Sequence, residues 1–289
     1  GDQFSIGKRI NFQLALTEVR AHLKQNIGWL VQRGWVTDCS GREFKSISAF
    51  EYALWALDKH LWTTLIHCIP EQEAHPNLWR QLGMQYQRVK TQGVTYALEG
   101  KIITESHFDF KNTLIAALQT QVDLYQAPGA KDFERMDTQW RQGVGSAQKL
   151  LPMHVVAEYC SEESFSTAPQ FIAPPTVTKG ILNGSTKRYE PWFAGDSKLG
   201  VRFAVSKGSR PFAARTVNAL GWLLTQGATR DLAAMRALHT KRTQDFIDLQ
   251  EHLEHAITQE PQQNPPIKQG TSPGVQNALC ETRLFMEPP

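Results

Sequence analysis

Between Ser48 and Ile66 the chain carries a stretch of side chains too apolar to be left in water. Phe50, Leu54, Leu57, Leu61 and Leu65 recur at three- and four-residue steps, and Trp55, Trp62 and Ile66 widen the stripe. Ser48 and Glu51 stand at capping-box spacing, where each side chain satisfies a free backbone N–H at a helix start. Pro70 stops the run, because proline has no N–H to continue it. A helix apolar on this many sides belongs inside, so the pattern predicts that residues 50–66 form the centre of a helical core.

The rest of the chain is arranged around that centre. Phe12, Leu16, Val19, Leu23, Ile27 and Leu30 predict a helix over 12–33, stopped by Gly34, and a third helix is expected over 76–91 with Gly93 as its stop. Val94–Leu98 and the segment from Lys101 to Ile103 flank Glu99-Gly100, the pattern of a short hairpin. Helical periodicity resumes at 109–126, and again over 137–160, where Pro152 either kinks the helix or opens a new one. Residues 161–216 are irregular, with Pro169, Pro174, Pro175, Pro191 and Pro211, although Val201, Phe203 and Val205 alternate as a short strand does. Two further helices are expected at 217–226 and 229–259. In the longer one Leu232, Met235, Leu238, Phe246, Leu249, Leu253 and Ile257 form a seam that Lys241, Arg242 and Thr243 interrupt.

The expected fold is therefore mainly α: an irregular helical domain with a small β-hairpin and one long Pro/Gly-rich loop region. Its parts are an N-terminal helical part over 1–93, a main helical domain over 94–259 containing the irregular loop 161–216, and a flexible polar tail over 260–289, rich in Gln and Pro.

Composition removes whole classes of function. Hydrophobic residues make up 41% and charged residues 20% of 289, which is enough to bury a core. The net charge is only +3 and no block of five basic residues exists, so a nucleic-acid partner is not expected. No apolar run approaches the roughly 20 residues of a membrane span, and no signal-peptide pattern opens the chain. Cys39, Cys68, Cys160 and Cys280 are scattered without CxxC spacing, so reduced thiols are expected and a structural zinc site is not. Phosphate-loop, dinucleotide, HExxH, GxSxG and kinase motifs are all missing, and no cofactor is indicated.

Two polar sets remain as candidate catalytic residues. His154 and Glu158 lie four apart, one turn on a helix, so the carboxylate can orient the imidazole or share acid–base work with it. His107 and Asp109, two apart in an extended segment, point the same way. Together the four would make a two-His, two-carboxylate cluster able to hold a metal or to split acid and base roles, although no metal is assigned. Cys160 is six residues from His154 and off its face, so a Cys–His nucleophile is not expected. A candidate binding rim gathers Tyr189, Trp192, Phe193, Asp196, Ser197 and Lys198 in a loop with Gly195 and Gly200. Arg202, Lys207, Arg210 and Arg215 add a modest basic surface beside it.

Several segments resemble one family: Phe50 to Asp58, Gly93-Val94-Thr95-Tyr96 with His107-Phe108-Asp109-Phe110, Gln148 to Cys160, Trp192-Phe193 with Asp196 to Gly200, and Asp245 to Leu249. They are similar to effector proteins of Legionella-type intracellular bacteria, over about residues 45–255. That resemblance implies delivery by a type IV secretion system into the host cytosol, a role in virulence, and a route that needs no signal peptide. It carries no activity. Some effector toxins that transfer AMP use a serine with a His-x3-Glu motif, which His154 and Glu158 match in half, with Ser106 and Ser146 as serines by position only. The expected function is an effector that binds a host protein. The alternative is an enzyme, for nucleotidyl transfer or metal-assisted hydrolysis, centred on His154 and Glu158.

Overall fold

The computed structural model describes residues 12–70, 75–161, 163–166, 169–175, 181–182, 189–190, 198–208, 215–217 and 223–259. The fold is mainly α-helical, as the periodicities predict. Among the described residues no helix is long and apolar enough to cross a membrane. The chain forms two compact units. One is built from Asp109–Arg242 with the chain up to Thr17; the other from Glu18–Phe108 with the chain from Thr243.

In the unit that includes residues 18–108, the capping box forms as read. Ser48 Oγ accepts from the Glu51 N–H at 3.0 Å, and the Ser48 N–H donates to Glu51 Oε2 at 3.0 Å. The single helix expected here is two, α2 (Ala49–Ala56) and α3 (Lys59–Ile66). Leu57 turns into the left-handed region at φ 56°, and Asp58 starts α3 by accepting from the Leu61 N–H at 3.0 Å. A side-chain acceptor on a short polar residue wins over continued periodicity. The expectation for 12–33 also changes: α1 (Phe12–Gln25) ends early, Asn26 caps a short 3-10 turn over Ile27–Leu30, and Gly34 opens strand β1 (Gly34–Thr37). Helix α4 (Pro76–Gln92) stops at Gly93, whose φ of 74° and close approach to the Glu105 carbonyl leave no room for a Cβ.

The hairpin is β3 (Val94–Leu98) and β4 (Lys101–Glu105), turned by Glu99-Gly100 with positive φ at both residues. It is half of a four-stranded antiparallel sheet ordered β1-β2-β3-β4, with β2 at Glu43–Ile47. Phe44, Trp55 and Tyr96 meet edge-on or tilted at 5.1–5.6 Å between the sheet and α2. The Arg42 guanidinium is buried among these rings, 5.2 Å from Trp55, 5.4 Å from Tyr96 and 5.3 Å from Phe108. Asp38 pairs with it at 3.2 Å.

In the unit that includes residues 109–242, helix α5 (Ala116–Gln126) follows a wide π turn at Lys111–Ile115. The stretch 137–160 is broken into α6 (Phe133–Thr138), a π turn at Gln139–Val144, α7 (Gly145–Lys149) and α8 (Met153–Cys160). Pro152 opens a new helix, standing as the residue before α8. The irregular region contains short strands β5 (Ile181–Leu182), β6 (Tyr189–Glu190), β7 (Ala204–Ser206) and β8 (Arg215–Val217), in the order β6-β5-β8-β7. Val205 therefore lies on a strand as its alternation suggests, while residues 201–202 form a turn. Gln148 fixes α7 to β7 by copying a strand neighbour: its amide donates to Val205 O and accepts from the Val205 N–H, both at 2.8 Å. Helix α9 (Leu223–Gln259) is continuous where two helices were expected. The residues from 260 onward lie outside the described residues.

Candidate functional site

Helix α8 is short and has no wet side: every residue from His154 to Cys160 is buried. His154 and Glu158 are one turn apart on it, as the spacing requires, and each is 2% exposed. A carboxylate in such a place is costly unless countercharged. Arg242 of α9 supplies a countercharge, with Nη2 3.7 Å from Glu158 Oε1 and the guanidinium fully buried. Arg242 Nη1 also donates to the Phe171 carbonyl at 2.9 Å. Phe171 presents that carbonyl from a left-handed conformation, φ 51°.

A second cation reaches the same helix. Lys207, directly after β7, sends Nζ to the C-terminal end of α8, where it donates to Glu158 O at 2.5 Å and Ser161 Oγ at 2.7 Å. A cation there also meets the negative end of the helix dipole. The Phe165 ring covers the ammonium at 4.5 Å. Asp231 of α9 completes the set. It accepts from the Gly208 N–H at 2.7 Å and from the Lys207 N–H at 3.2 Å. Gly208 is needed for this approach: a Cβ there would stand 2.5 Å from the Gly227 carbonyl. The result is a buried arrangement of two acids and two bases, Glu158, Asp231, Lys207 and Arg242, drawn from α8, the end of β7 and α9.

Burial dominates the proton affinities here. It pushes the Asp231 carboxyl up to about 7, with the Gly208 N–H and other hydrogen bonds pulling back. It pulls the Lys207 ammonium down to about 8, against the attraction of Glu158. It pushes the Cys160 thiol up to about 12, so no thiolate nucleophile is available there near neutral pH. Two groups of opposite charge thus change protonation close to neutrality within one packed cluster. That arrangement suits a pH-sensitive structural tie. Direct chemistry on a substrate would need access, and these side chains are sealed.

No solved structure matches the chain. Sequence comparison does find relatives. Residues 113–253 match the family described as the CBUA0006 C-terminal domain. A curated Coxiella burnetii protein, described as the uncharacterized protein CBUA0006, is 36% identical over 257 residues, covering 82% of this chain and 72% of that protein. The chain belongs to the CBUA0006 family. All four members of the buried cluster fall within the matched domain of this CBUA0006-family chain.

The other residues singled out from sequence are divided between the two units. His107 belongs to the unit with residues 18–108, where its Nδ1 is 3.3 Å from Leu54 O and its ring meets Phe246 edge-on at 4.4 Å. Asp109 belongs to the other unit and acts locally. It accepts from the Asn112 N–H at 2.9 Å and from Asn112 Nδ2 at 2.7 Å, before the first turn of the helical stretch. Nearby His239 is held below its usual range by burial and by Lys111, with Asp109 opposing. Among the described residues no group of three or more His, Cys, Asp or Glu side chains could hold a metal ion. Lys198 is exposed, and Tyr189 lies on β6, while Trp192, Phe193, Asp196 and Ser197 lie outside the described residues. Ser106 and Ser146 are exposed.

Sequence reasoning placed Lys207 in a surface patch, and the structure corrects this: the residue is fully buried, whereas Arg202 is exposed. Arg242 was legible as an interruption of the α9 seam. It is an inward position that carries a charge because Glu158 is there to meet it. Asp231 left no signal, since a lone acid before a helical apolar run reads as solvated.

An open cavity of about 490 Å³ lies in the unit with residues 109–242, lined by Thr120, Leu124, Asp132, Arg135, Gln139 and Gln142 among others. It has both charge signs and no nucleophile–base pair within hydrogen-bond distance among the described contacts.

Proposed function

We propose that this CBUA0006-family chain is a secreted effector that acts in a host cytosol by binding a host protein. The observation that carries the binding reading is the sealing of His154 and Glu158, each 2% exposed on a helix buried along its length. A general acid or base must come within hydrogen-bond reach of its substrate. The Glu158 carboxylate instead countercharges Arg242 while its backbone carbonyl accepts from Lys207, and His154 is packed on the same buried helix. Family membership and the Legionella-type resemblance support the cellular setting. The contact surface is assigned to the rim around Tyr189, Trp192, Phe193, Asp196, Ser197 and Lys198.

The test has two arms. A translocation reporter fused to the chain gives a host-cytosol signal that is lost in a secretion-deficient bacterium; an equal signal in both strains overturns the effector reading. In host cells, a photo-crosslinker beside Lys198 captures one discrete partner, and Trp192→Ala with Phe193→Ala abolishes the capture while His154→Ala, at matched stability, keeps it. Modification of a host protein by the purified chain with ATP and a divalent cation, lost in His154→Ala, would favour the enzyme instead.

A further inference from the structure

Strand β4 ends its sheet: among the described residues β3 is its sole ladder partner. The turn residues Glu99 and Gly100 make Leu98↔Lys101 the first hydrogen-bonded pair of the hairpin, so Ile103 and Glu105 also bond to β3. By the same alternation the N–H and C=O groups of Ile102 and Thr104 point away from β3, along the open edge. Open edges are usually blunted by charge, proline or a bulge. This one is a five-residue strand, Lys-Ile-Ile-Thr-Glu, regular against β3 and with Ile102 68% exposed.

The sequence of that edge is complementary to itself. Placed antiparallel to a second β4 and centred on Ile103, it puts Ile102 opposite Thr104 twice, and Lys101 opposite Glu105 twice. The outward backbone groups are then the ones that meet, so the 102–104 pairs exchange both of their hydrogen bonds. The 101–105 pairs fall at non-bonded positions, where side chains approach closest, and unite opposite charges. Trp55 Nε1 and Tyr96 Oη donate to Glu105 Oε1 at 3.1 and 2.9 Å and hold that carboxylate in a fixed place. Shifting the register by one residue either way breaks both charge pairs. We infer that β4 is a self-association edge, through which two copies of this chain join their four-stranded sheets into one continuous sheet across a two-fold axis. This interaction is separate from the host contact proposed above, since it uses different residues and a different partner.

The test uses the full chain. Sedimentation of the purified protein from sub-micromolar to hundreds of micromolar should show a reversible rise from 32.6 kDa to twice that mass. Ile102→Pro removes an outward N–H without breaking a bond to β3 and should leave a monomer at every concentration. Lys101→Glu places like charges opposite each other and should weaken association at least tenfold. Circular dichroism and melting curves check that both variants fold. The register is read separately with Ile103→Cys: facing Cα atoms at about 4.5 Å in a non-bonded pair lie in disulfide range, so oxidation should give a 103–103 crosslinked peptide by mass spectrometry. A wild type that stays monomeric, a folded Ile102→Pro that still dimerises, or a dimer without the 103–103 crosslink would each overturn the assignment. Capture of an extended segment of another protein by this edge, with no self-association, would overturn it in favour of a different occupant.

Discussion

Arg42 in one unit and Lys207 in the other are both buried cations, held by different means. Arg42 sits among Trp55, Tyr96 and Phe108, with Asp38 as its partner. Lys207 sits among polar acceptors at the end of α8, with one ring over it. A guanidinium is planar, delocalised and weakly hydrated, so aromatic faces replace much of its water. Burial works against the charge on Arg42, yet Asp38 and the neighbouring tyrosine hydroxyl groups leave its proton affinity raised. An ammonium is a compact, strongly hydrated charge, and burial brings Lys207 down to about 8. Of these two charges, that of Arg42 is therefore permanent, and that of Lys207 can be lost within reach of neutral pH.

The largest effect expected from breaking this contrast is at Arg42. Arg42→Ala strands the buried Asp38 carboxylate, and its loss should cost about 3–5 kcal/mol in urea unfolding. The shortfall should shrink at low pH, where Asp38 can be protonated.

Lys207→Met should cost less, about 1–3 kcal/mol at neutral pH, because a neutral residue of similar length keeps the packing. Its diagnostic is the pH profile. The folded lysine titrates at about 8 and the unfolded one at 10.5, so between these values the unfolded chain holds more protons. Stability then rises with pH across that window. Unfolding curves of the wild type should show this rise, and Lys207→Met should lose it. Arg42 contributes no such rise.

The smallest effect in neutral buffer is expected from Asp231→Asn, whose amide oxygen can still accept from the Gly208 N–H. Here the sign reverses. The folded carboxyl titrates at about 7 and the unfolded one at 3.8, so the folded chain holds the extra proton between them. Stability falls as pH rises through that window and levels off above it. Asp231→Asn should flatten that fall, and a profile unchanged from wild type would remove Asp231 from the account.

What the sequence revealed tracks the range of the forces involved. The capping box at Ser48 and Glu51, the Gly93 stop and the Glu99-Gly100 turn are decided by residues a few positions apart, and all three form as read. The break at Leu57 is local too, but apolar periodicity running through Asp58 conceals it. The buried cluster is different in kind. Glu158 meets Arg242 across 84 residues of chain, and Lys207 meets Ser161 across 46. No periodicity announces such pairs. The one trace of them was the charge at Arg242 in an otherwise apolar seam. The second sheet was hidden for a related reason: strands of two or three residues are too short to alternate visibly.

The hairpin turn has a consequence for how this chain can evolve. Glu99 holds a φ of 49° on an exposed corner, where a carboxylate with a long stem has no local bond to favour it and asparagine would be at ease. That leaves the fold with slack at a position that touches neither the aromatic core nor the buried charges. A lineage that damages either interior can recover part of the loss there with one residue replaced, and in doing so it would also stiffen β4 and sharpen the edge it offers to a second copy.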